Sequence, residues 1–206
     1  LASLVIDTCL KALTLGVRLE DGTTVSVSDR IGIGHAERIG PAFRHVLFEA
    51  RIEPEAIKRI GVTVGPGSFM GQRVGISFAK GLALGSGAET VGVTTLEAIA
   101  ATAGFPVAVS VDARRGEAYV QAFGADGTPE DELRLIPYTE ALAWLSGRDR
   151  VAGNGAAACG FEGDVLPIET PLAEAMLDLI ETLPSGAIQT LYLRDADAKP
   201  PSKPAL

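Results

Sequence analysis

Hydrophobic positions along this chain fall mostly into short runs with a period of two, broken by a few longer stretches with a helical period. Leu4 to Ile6 is apolar and stops at Asp7-Thr8, and Leu13 to Leu19 alternates. Asp21-Gly22 is a hairpin signal, and Val25 to Ser28 alternates beyond it, so the chain should open with three antiparallel strands. Ala36 to Arg51 reads as a helix with Ile39, Phe43, Val46, Leu47 and Ala50 on one stripe. Arg44, His45 and Phe48 point away from that stripe, and Pro41 fits only near the first turn. Ile60 to Val64 and Thr90 to Val93 read as strands, and Thr94 with Glu97 forms a capping box opening a helix that Gly104 and Pro106 close. Alternating strands and helices from Ile60 to Ala103 predict parallel pairing within a mixed α/β sheet.

The second half restarts the pattern. Val107 to Val111 is a strand ending at Asp112, Arg114-Arg115-Gly116 is a turn, and Ala118 to Phe123 returns antiparallel. Strand, aspartate, turn, strand repeats the opening and suggests an internal duplication, with Asp7 and Asp112 in matching places. Leu133 to Ile136 reads as a strand and Thr139 to Leu145 as a short helix. Val151-Ala152 runs into a Gly153-Asn154-Gly155 loop. Thr170-Pro171 starts a last helix with Leu172, Met176, Ile180 and Leu183 on one face. The expected organisation is a first lobe over 1–104, a second over 105–197, and a proline-rich, extended or unordered tail over 198–206.

Within the first half lies VTVGPGSFMGQRVGISFAKGLALGSG, Val62 to Gly87. A strand, a turn with glycines at 65, 67 and 71, and a helix is a pattern that can seat a phosphate on backbone N–H groups. The helix also supports a different role. At about 100° per residue, Val74, Phe78 and Leu82 form an apolar face, with Gly75, Ala79, Ala83 and Ser86 beside it. Arg73, Ser77 and Lys80 form a narrow solvated wedge bordered by Ile76 and Leu84. Small residues four apart let helix axes approach closely, and glycines inside a helix cost about 0.8–1 kcal/mol each relative to alanine. Gly75 and Gly81 therefore call for close packing. A phosphate cradle and an inter-helix contact both remain open on this pattern, and the off-stripe Phe48 together with Ile76 and Leu84 suggests an apolar patch for a partner.

Bulk properties narrow the function classes. The 206 residues make one large domain or two small ones, and 47% hydrophobic content suffices for a core. A formal net charge of −8 argues against direct binding of a nucleic-acid backbone. Cys9 and Cys159 form no CxxC pair, and LASLVID carries neither a basic region nor a long apolar one. These features lead to the expectation of a cytoplasmic protein with no membrane span. The two histidines, His35 and His45, belong to no metal-binding motif, so no metal is expected. Ser68 in GPGSFMG is not a GxSxG nucleophile and reads as a helix N-cap. The glycine turn has one residue too many for a dinucleotide fingerprint, and Glu89 precedes its strand rather than ending it. Asp7 and Asp112 can hold a metal–phosphate or merely accept turn N–H groups. Gly65, Gly67 and Ser68 complete the weak set of cofactor candidates. Arg114 and Arg115 suit a phosphate, a carboxylate or plain solvation.

The central stretch is very similar to the GPGSFTGxRxGxxxAxGLA signature of the bacterial TsaB (YeaZ) family of tRNA threonylcarbamoyladenosine biosynthesis proteins. The likeness continues through LVIDTCLKALTLGV, GHAERIGPAF, VGVTTLEAIA, VDARRGEAYVQAF and YLRDADAK, in order and over nearly the whole chain. Met70 departs from it, standing where the signature has threonine, and Gln72 fills a variable position.

The resemblance implies an actin-like/RNase H-like ATPase (ASKHA) fold with a reduced C-terminal lobe. It implies work in the t6A modification of tRNA, in which threonylcarbamoyl is attached to N6 of adenosine 37. It further implies a non-catalytic scaffold or activator without a cofactor, which pairs with the catalytic subunit TsaD through the first two helices. TsaE joins that pair, the isolated protein forms a homodimer over the same surface, and tRNA is met only indirectly. The contact residues so implied are Pro41, Arg44, His45 and Phe48, with Arg73, Ile76, Lys80 and Leu84. The rival readings are a small ATP-dependent phosphotransferase using Asp7 and Asp112, and a glycoprotease-like peptidase.

Overall fold

The computed structural model describes residues 1–32 and 34–193. The tail expected over 198–206 lies outside the described residues.

Strands β1 (Ala2–Asp7), β2 (Ala12–Leu19) and β3 (Thr24–Arg30) form an antiparallel meander, and α1 (His35–Ala50) follows. A single 3₁₀ turn leads into β4 (Ile57–Gly65), then come α2 (Phe69–Ser86), β5 (Glu89–Thr94) and α3 (Thr95–Ala103). The sheet order is β3-β2-β1-β4-β5, with β1, β4 and β5 parallel. β1 is central and buried on both faces, which is why it reads as an unbroken apolar run, whereas β3 alternates because it is a half-exposed edge. The capping box of Thr94 and Glu97 is formed in both directions, Glu97 N–H to Thr94 Oγ1 at 3.1 Å and Thr94 N–H to Glu97 Oε2 at 2.7 Å.

The second sheet repeats the first. β6 (Val107–Arg114), β7 (Glu117–Phe123) and β8 (Arg134–Pro137) are antiparallel, followed by α4 (Tyr138–Leu145). Then come β9 (Val151–Ala152), α5 (Gly155–Ala158), β10 (Val165–Leu166) and α6 (Ala173–Thr182). The order β10-β9-β6-β7-β8 puts β6 where β1 stands, with β9 and β10 parallel to it. The duplication marked by Asp7 and Asp112 is therefore a repeated topology, each aspartate at the carboxyl end of a central strand.

Side-chain alternation along β1 divides the first lobe into layers. Leu4 and Ile6 join Ile39, Phe43, Val46 and Leu47 of α1 and Ile76 and Ala79 of α2 on one face. Val5 points the other way, to Ala173, Met176, Leu177 and Ile180 of α6. This corrects the expectation that 105–197 forms one lobe. α6 covers the second face of the first sheet, and the segment after it stays with that sheet, crossing to its α1–α2 side. The Gly186 N–H bonds to the Thr90 carbonyl at 2.8 Å, the Leu191 N–H bonds to the Val64 carbonyl at 2.8 Å, and Ile188 is buried in the α1–α2 layer. Arg59 anchors the turn between helix and strap by donating to the carbonyls of Ile180 and Leu183.

Three local readings also change. Pro41 lies inside α1 rather than in its first turn, since the helix starts at His35; it sits on the exposed side and removes one internal hydrogen bond. The loop after β9 holds the short α5, whose glycine and alanines carry no apolar period to read. Leu172 flanks α6 and is 57% exposed, while the buried stripe is Ala173, Met176, Leu177 and Ile180.

Candidate functional site

The glycine turn between β4 and α2 is filled by the protein itself. Ser68 caps α2 as expected, its Oγ accepting the Gly71 N–H at 3.1 Å, and its own N–H donates to the Cys9 carbonyl at 2.8 Å. A Cβ on Gly67 would stand 2.4 Å from the Cys9 carbonyl oxygen, and one on Gly71 would stand 1.9 Å from that of Thr8. The Gln72 carboxamide lies 2.7 Å from where a Cβ on Gly65 would be, and its Nε2 donates to the Gly67 carbonyl at 3.3 Å. These glycines are needed because the end of β1 and the first turn of α2 pass within van der Waals contact. At this turn the glycines serve close packing within the chain.

Asp7 is fully buried. Its Oδ1 accepts from Thr63 Oγ1 at 2.6 Å and from the Cys9 N–H at 3.1 Å, while its Oδ2 is buried without a hydrogen-bond partner. Burial raises its pKa above the ordinary carboxylate value, against the opposing pull of those bonds. Cys9 is sealed beside it, with its thiol 3.4 Å from the Thr63 carbonyl and its pKa pushed up to about 12 by burial and by Asp7. Cys9 and Cys159 are both free.

A cleft of about 610 Å³ separates the two sheets, lined by Lys11, Ser68, Asp112, Arg114, Asn154 and Glu169 among others. Asp112 reaches this cleft and Asp7 does not, so the structure does not bring the two aspartates together on one cavity wall. Asp112 Oδ1 accepts the Arg114 N–H at 2.7 Å and the Tyr138 hydroxyl at 2.6 Å. The phenol's pKa is pushed up to about 12, chiefly by this bond to Asp112. Arg114 and Arg115 turn the hairpin with φ of 60° and 57°, both left-handed, ahead of Gly116. Among the described residues no group of three or more His, Cys, Asp or Glu is placed to hold a metal ion, and no helix is long and apolar enough to cross a membrane.

The second candidate surface is the outer face of α1 and α2. Pro41, Arg44, His45, Phe48, Arg73, Lys80 and Leu84 are all exposed, Phe48 by 78% and Leu84 by 90%. Ile76 is not. It is 5% exposed and packs into the first lobe's core, so its placement on the outer border of α2 is corrected. The reason is a rotation of the helix. The small residues Gly75 and Ala79 face the sheet, where Gly75 passes Thr8 so closely that a Cβ would lie 2.4 Å from Thr8 Oγ1, and Ile76 turns inward with them. Val74, Phe78 and Leu82 lie half-buried, with Phe78 edge-on to Phe43 at 5.3 Å.

Between α1 and α2 runs an apolar groove of about 470 Å³ lined by Gly40, Phe43, Arg44, Phe78, Gly81 and Leu82. Gly81 lies inside the helix, and among the described residues a Cβ there would meet nothing within 4 Å. The sequence marks Gly81 as needing close packing, but not that the described residues leave it open. At the start of α2 the exposed Arg73 lies 3.8 Å above the Phe69 ring and donates to the Tyr192 hydroxyl at 3.1 Å. Nothing local in the YLRDADAK motif signals that Tyr192, on the segment after α6, returns to α2.

The doubled sheet order, with an aspartate closing each central strand and a cleft between the halves, defines the actin-like/RNase H-like ATPase fold class. Residues 31–132 match the family described as TsaD, tRNA N6-adenosine threonylcarbamoyltransferase. The chain is 34% identical to the tRNA threonylcarbamoyladenosine biosynthesis protein TsaB of Escherichia coli K12, over 74% of this chain and 71% of that protein. It is 33% identical to TsaB of Bacillus subtilis, over 68% of this chain and 65% of that protein. A solved Pseudomonas aeruginosa structure, described as an uncharacterized protein with similarity to peptidase YeaZ, superposes with a TM-score of 0.83 at 26% identity, covering 94% and 99% of the two chains. The chain belongs to the TsaB family, whose named members act in the biosynthesis of threonylcarbamoyladenosine in tRNA.

Proposed function

We propose that this chain is a non-catalytic scaffold and activator of the t6A modification machinery, docking the catalytic subunit TsaD on the α1–α2 face. TsaE joins the pair, and the isolated chain uses the same face to form a homodimer. The observation that carries the reading is Gly81. A glycine inside a helix costs about 0.8–1 kcal/mol relative to alanine, and among the described residues nothing approaches it closely enough to require one. An approaching helix of a partner supplies that requirement, with Phe48 and Leu84 as exposed apolar anchors beside the groove. Support against the phosphotransferase reading comes from Asp7, which is sealed away from the cleft, and from a glycine turn already occupied by Thr8, Cys9 and Gln72. Against the peptidase reading, Ser68 is engaged as a helix cap, and no histidine lines its cleft.

The test is reconstitution of the tRNA modification from purified TsaD, TsaE and the enzyme supplying the threonylcarbamoyl donor, with and without this chain. Activity is expected only with it. The Leu84→Asp chain should neither co-purify with TsaD nor restore activity. Full activity without the chain, or unimpaired pairing by Leu84→Asp, would overturn the proposal.

A further inference from the structure

We propose that Leu10 bolts the two lobes together across the cleft, so that the chain behaves as one rigid body whose cleft neither opens nor closes. The inference goes beyond the docking reading and does not depend on it. Because the topology is duplicated, the first turns of the two sheets meet at this cavity. Cys9, Leu10 and Lys11 line it from the β1–β2 turn, and Asp112, Ala113 and Arg114 line it from the end of β6. Closing on a ligand by hinge motion moves such turns relative to each other. Here the first turn is fixed to its own lobe, and its apolar side chain is fixed in the other.

Thr8 Oγ1 donates to the Gly71 carbonyl at 2.7 Å, the Cys9 carbonyl accepts the Ser68 N–H at 2.8 Å, and the Lys11 carbonyl accepts the Gly32 N–H at 2.8 Å. The backbone on both sides of Leu10 is thus held to the first lobe. The half-buried Leu10 side chain packs against the second lobe's cluster, which holds Val107, Val109 and Val111 of β6 and Phe123 of β7. The hinge end is tied as well. The chain crosses between lobes after α3 and again before α6, and the Leu172 N–H joins the two crossings by donating to Thr102 Oγ1 at 2.9 Å. α3 itself is shared, with Leu96 and Ile99 in the second lobe's cluster and Ala98 against Met176 and Leu177 of α6. Arg30 of β3 also pairs with Glu169 on the cleft wall, but both side chains face solvent and such pairs add little. Apolar packing at two separated places, and not surface charge, is what resists hinging.

The experiment measures the distance between spin labels on the two lobes by pulsed electron resonance, in the full-length chain carrying Glu37→Cys and Glu132→Cys at exposed positions. Cys9 and Cys159 are buried and stay in place, and the chain without the added cysteines is the labelling control. One narrow distance distribution is expected when Leu10 is intact. With Leu10→Ala a second, displaced population should appear, the ratio of open to closed lobes rising about tenfold through the loss of a partly buried side chain. Leu10→Met, which keeps the volume, should stay narrow. Hydrogen exchange on the same chains gives a second reading. Leu10→Ala should speed exchange of the Asp112 and Arg114 N–H groups at the cleft, bonded to Asn154 Oδ1 and Asp112 Oδ1, and leave those inside β1 unchanged.

A broad or two-peaked distribution with Leu10 intact would overturn the inference, since the lobes then hinge with the bolt in place. Equally narrow distributions in the Leu10 and Leu10→Ala chains would overturn it too. So would faster exchange throughout Leu10→Ala with no displaced population, the mark of a core that is merely weakened. If Leu10→Ala does not fold, the milder Leu10→Val takes its place, with a rise of about threefold expected and the same results overturning it. Pairing with TsaD is read separately through Leu84→Asp, so neither result decides the other.

Discussion

Thr8 and Gly71 are locked together in both directions. Thr8 Oγ1 donates to the Gly71 carbonyl at 2.7 Å, and the Thr8 carbonyl occupies the space a Cβ on Gly71 would need. The first turn of α2 therefore rests directly on the end of β1, which fixes how α2 presents its outer side. Gly71→Ala should force backbone against backbone and destabilise the chain by about 3 kcal/mol, at or beyond the upper end of ordinary overpacking. Urea unfolding of the purified variant checks this, and a loss below about 0.5 kcal/mol would contradict the packing.

Gly81→Ala should do the opposite. With open space around it, the change removes a helix penalty of about 0.8–1 kcal/mol and raises the melting temperature by about 2–4 °C. The same variant should pair less tightly with TsaD, because the added methyl stands where a partner helix has to approach. A thermal melt and a pull-down on one sample separate the two effects. A stabilised variant that pairs normally would remove the main support for docking at this position.

Ile76 and Leu84 lie on the same helix and should respond differently to the same substitution. Ile76→Asp buries an unpaired carboxylate in the first lobe's core and should cost at least about 3 kcal/mol, so its failure to pair would carry no information about the interface. Leu84→Asp changes a side chain 90% exposed and should leave stability within about 0.5 kcal/mol while abolishing pairing. Circular dichroism melts of both variants, read with co-purification, test the distinction.

Asp7 sets a stability slope at acid pH. Its folded-state pKa is raised above the ordinary 3.8, so the native chain holds this proton where the unfolded chain has lost it. Stability from this group is therefore greatest below the unfolded value, falls as pH rises toward the raised folded value, and is level beyond it. Asp7→Asn can still accept the bonds from Thr63 and Cys9 and has no proton to lose. The variant should match wild type near pH 3.5 and exceed it at pH 7. A difference independent of pH would mean that Asp7 is not held in this state.

What was legible in the sequence followed from local chemistry. The Asp21-Gly22 hairpin, the Thr94–Glu97 box, the Ser68 cap and the repeat of strand and aspartate at Asp7 and Asp112 all need only neighbouring residues to be recognised, and all are present. Local chemistry falls short where a distant segment decides the outcome. Ile76 and Gly75 share a helix whose rotation is set by Thr8 from another strand. α6 follows the second sheet in sequence yet covers the first, because Val5, Val91 and Val93 need an apolar cover that α1 and α2, on the other side, do not provide. Tyr192 meets Arg73 only because the strap after α6 runs back along β4 and β5. For the candidate site, outer positions of α1 such as Phe48 were readable from the stripe, whereas the groove at Gly81 required the two helices to be seen side by side.

The place of α6 also bears on how the protein is made. The first sheet leaves the ribosome early, but Val5, Val91 and Val93 have only Ala98 of α3 over them until α6 has been translated, since Met176, Leu177 and Ile180 are the rest of their cover. The second sheet is in effect an insertion that must be synthesised before the first half can be finished. A gene cut after residue 104 would thus yield a fragment with one sheet face wet and sticky, and adding α6 back as a separate peptide is the natural way to rescue it.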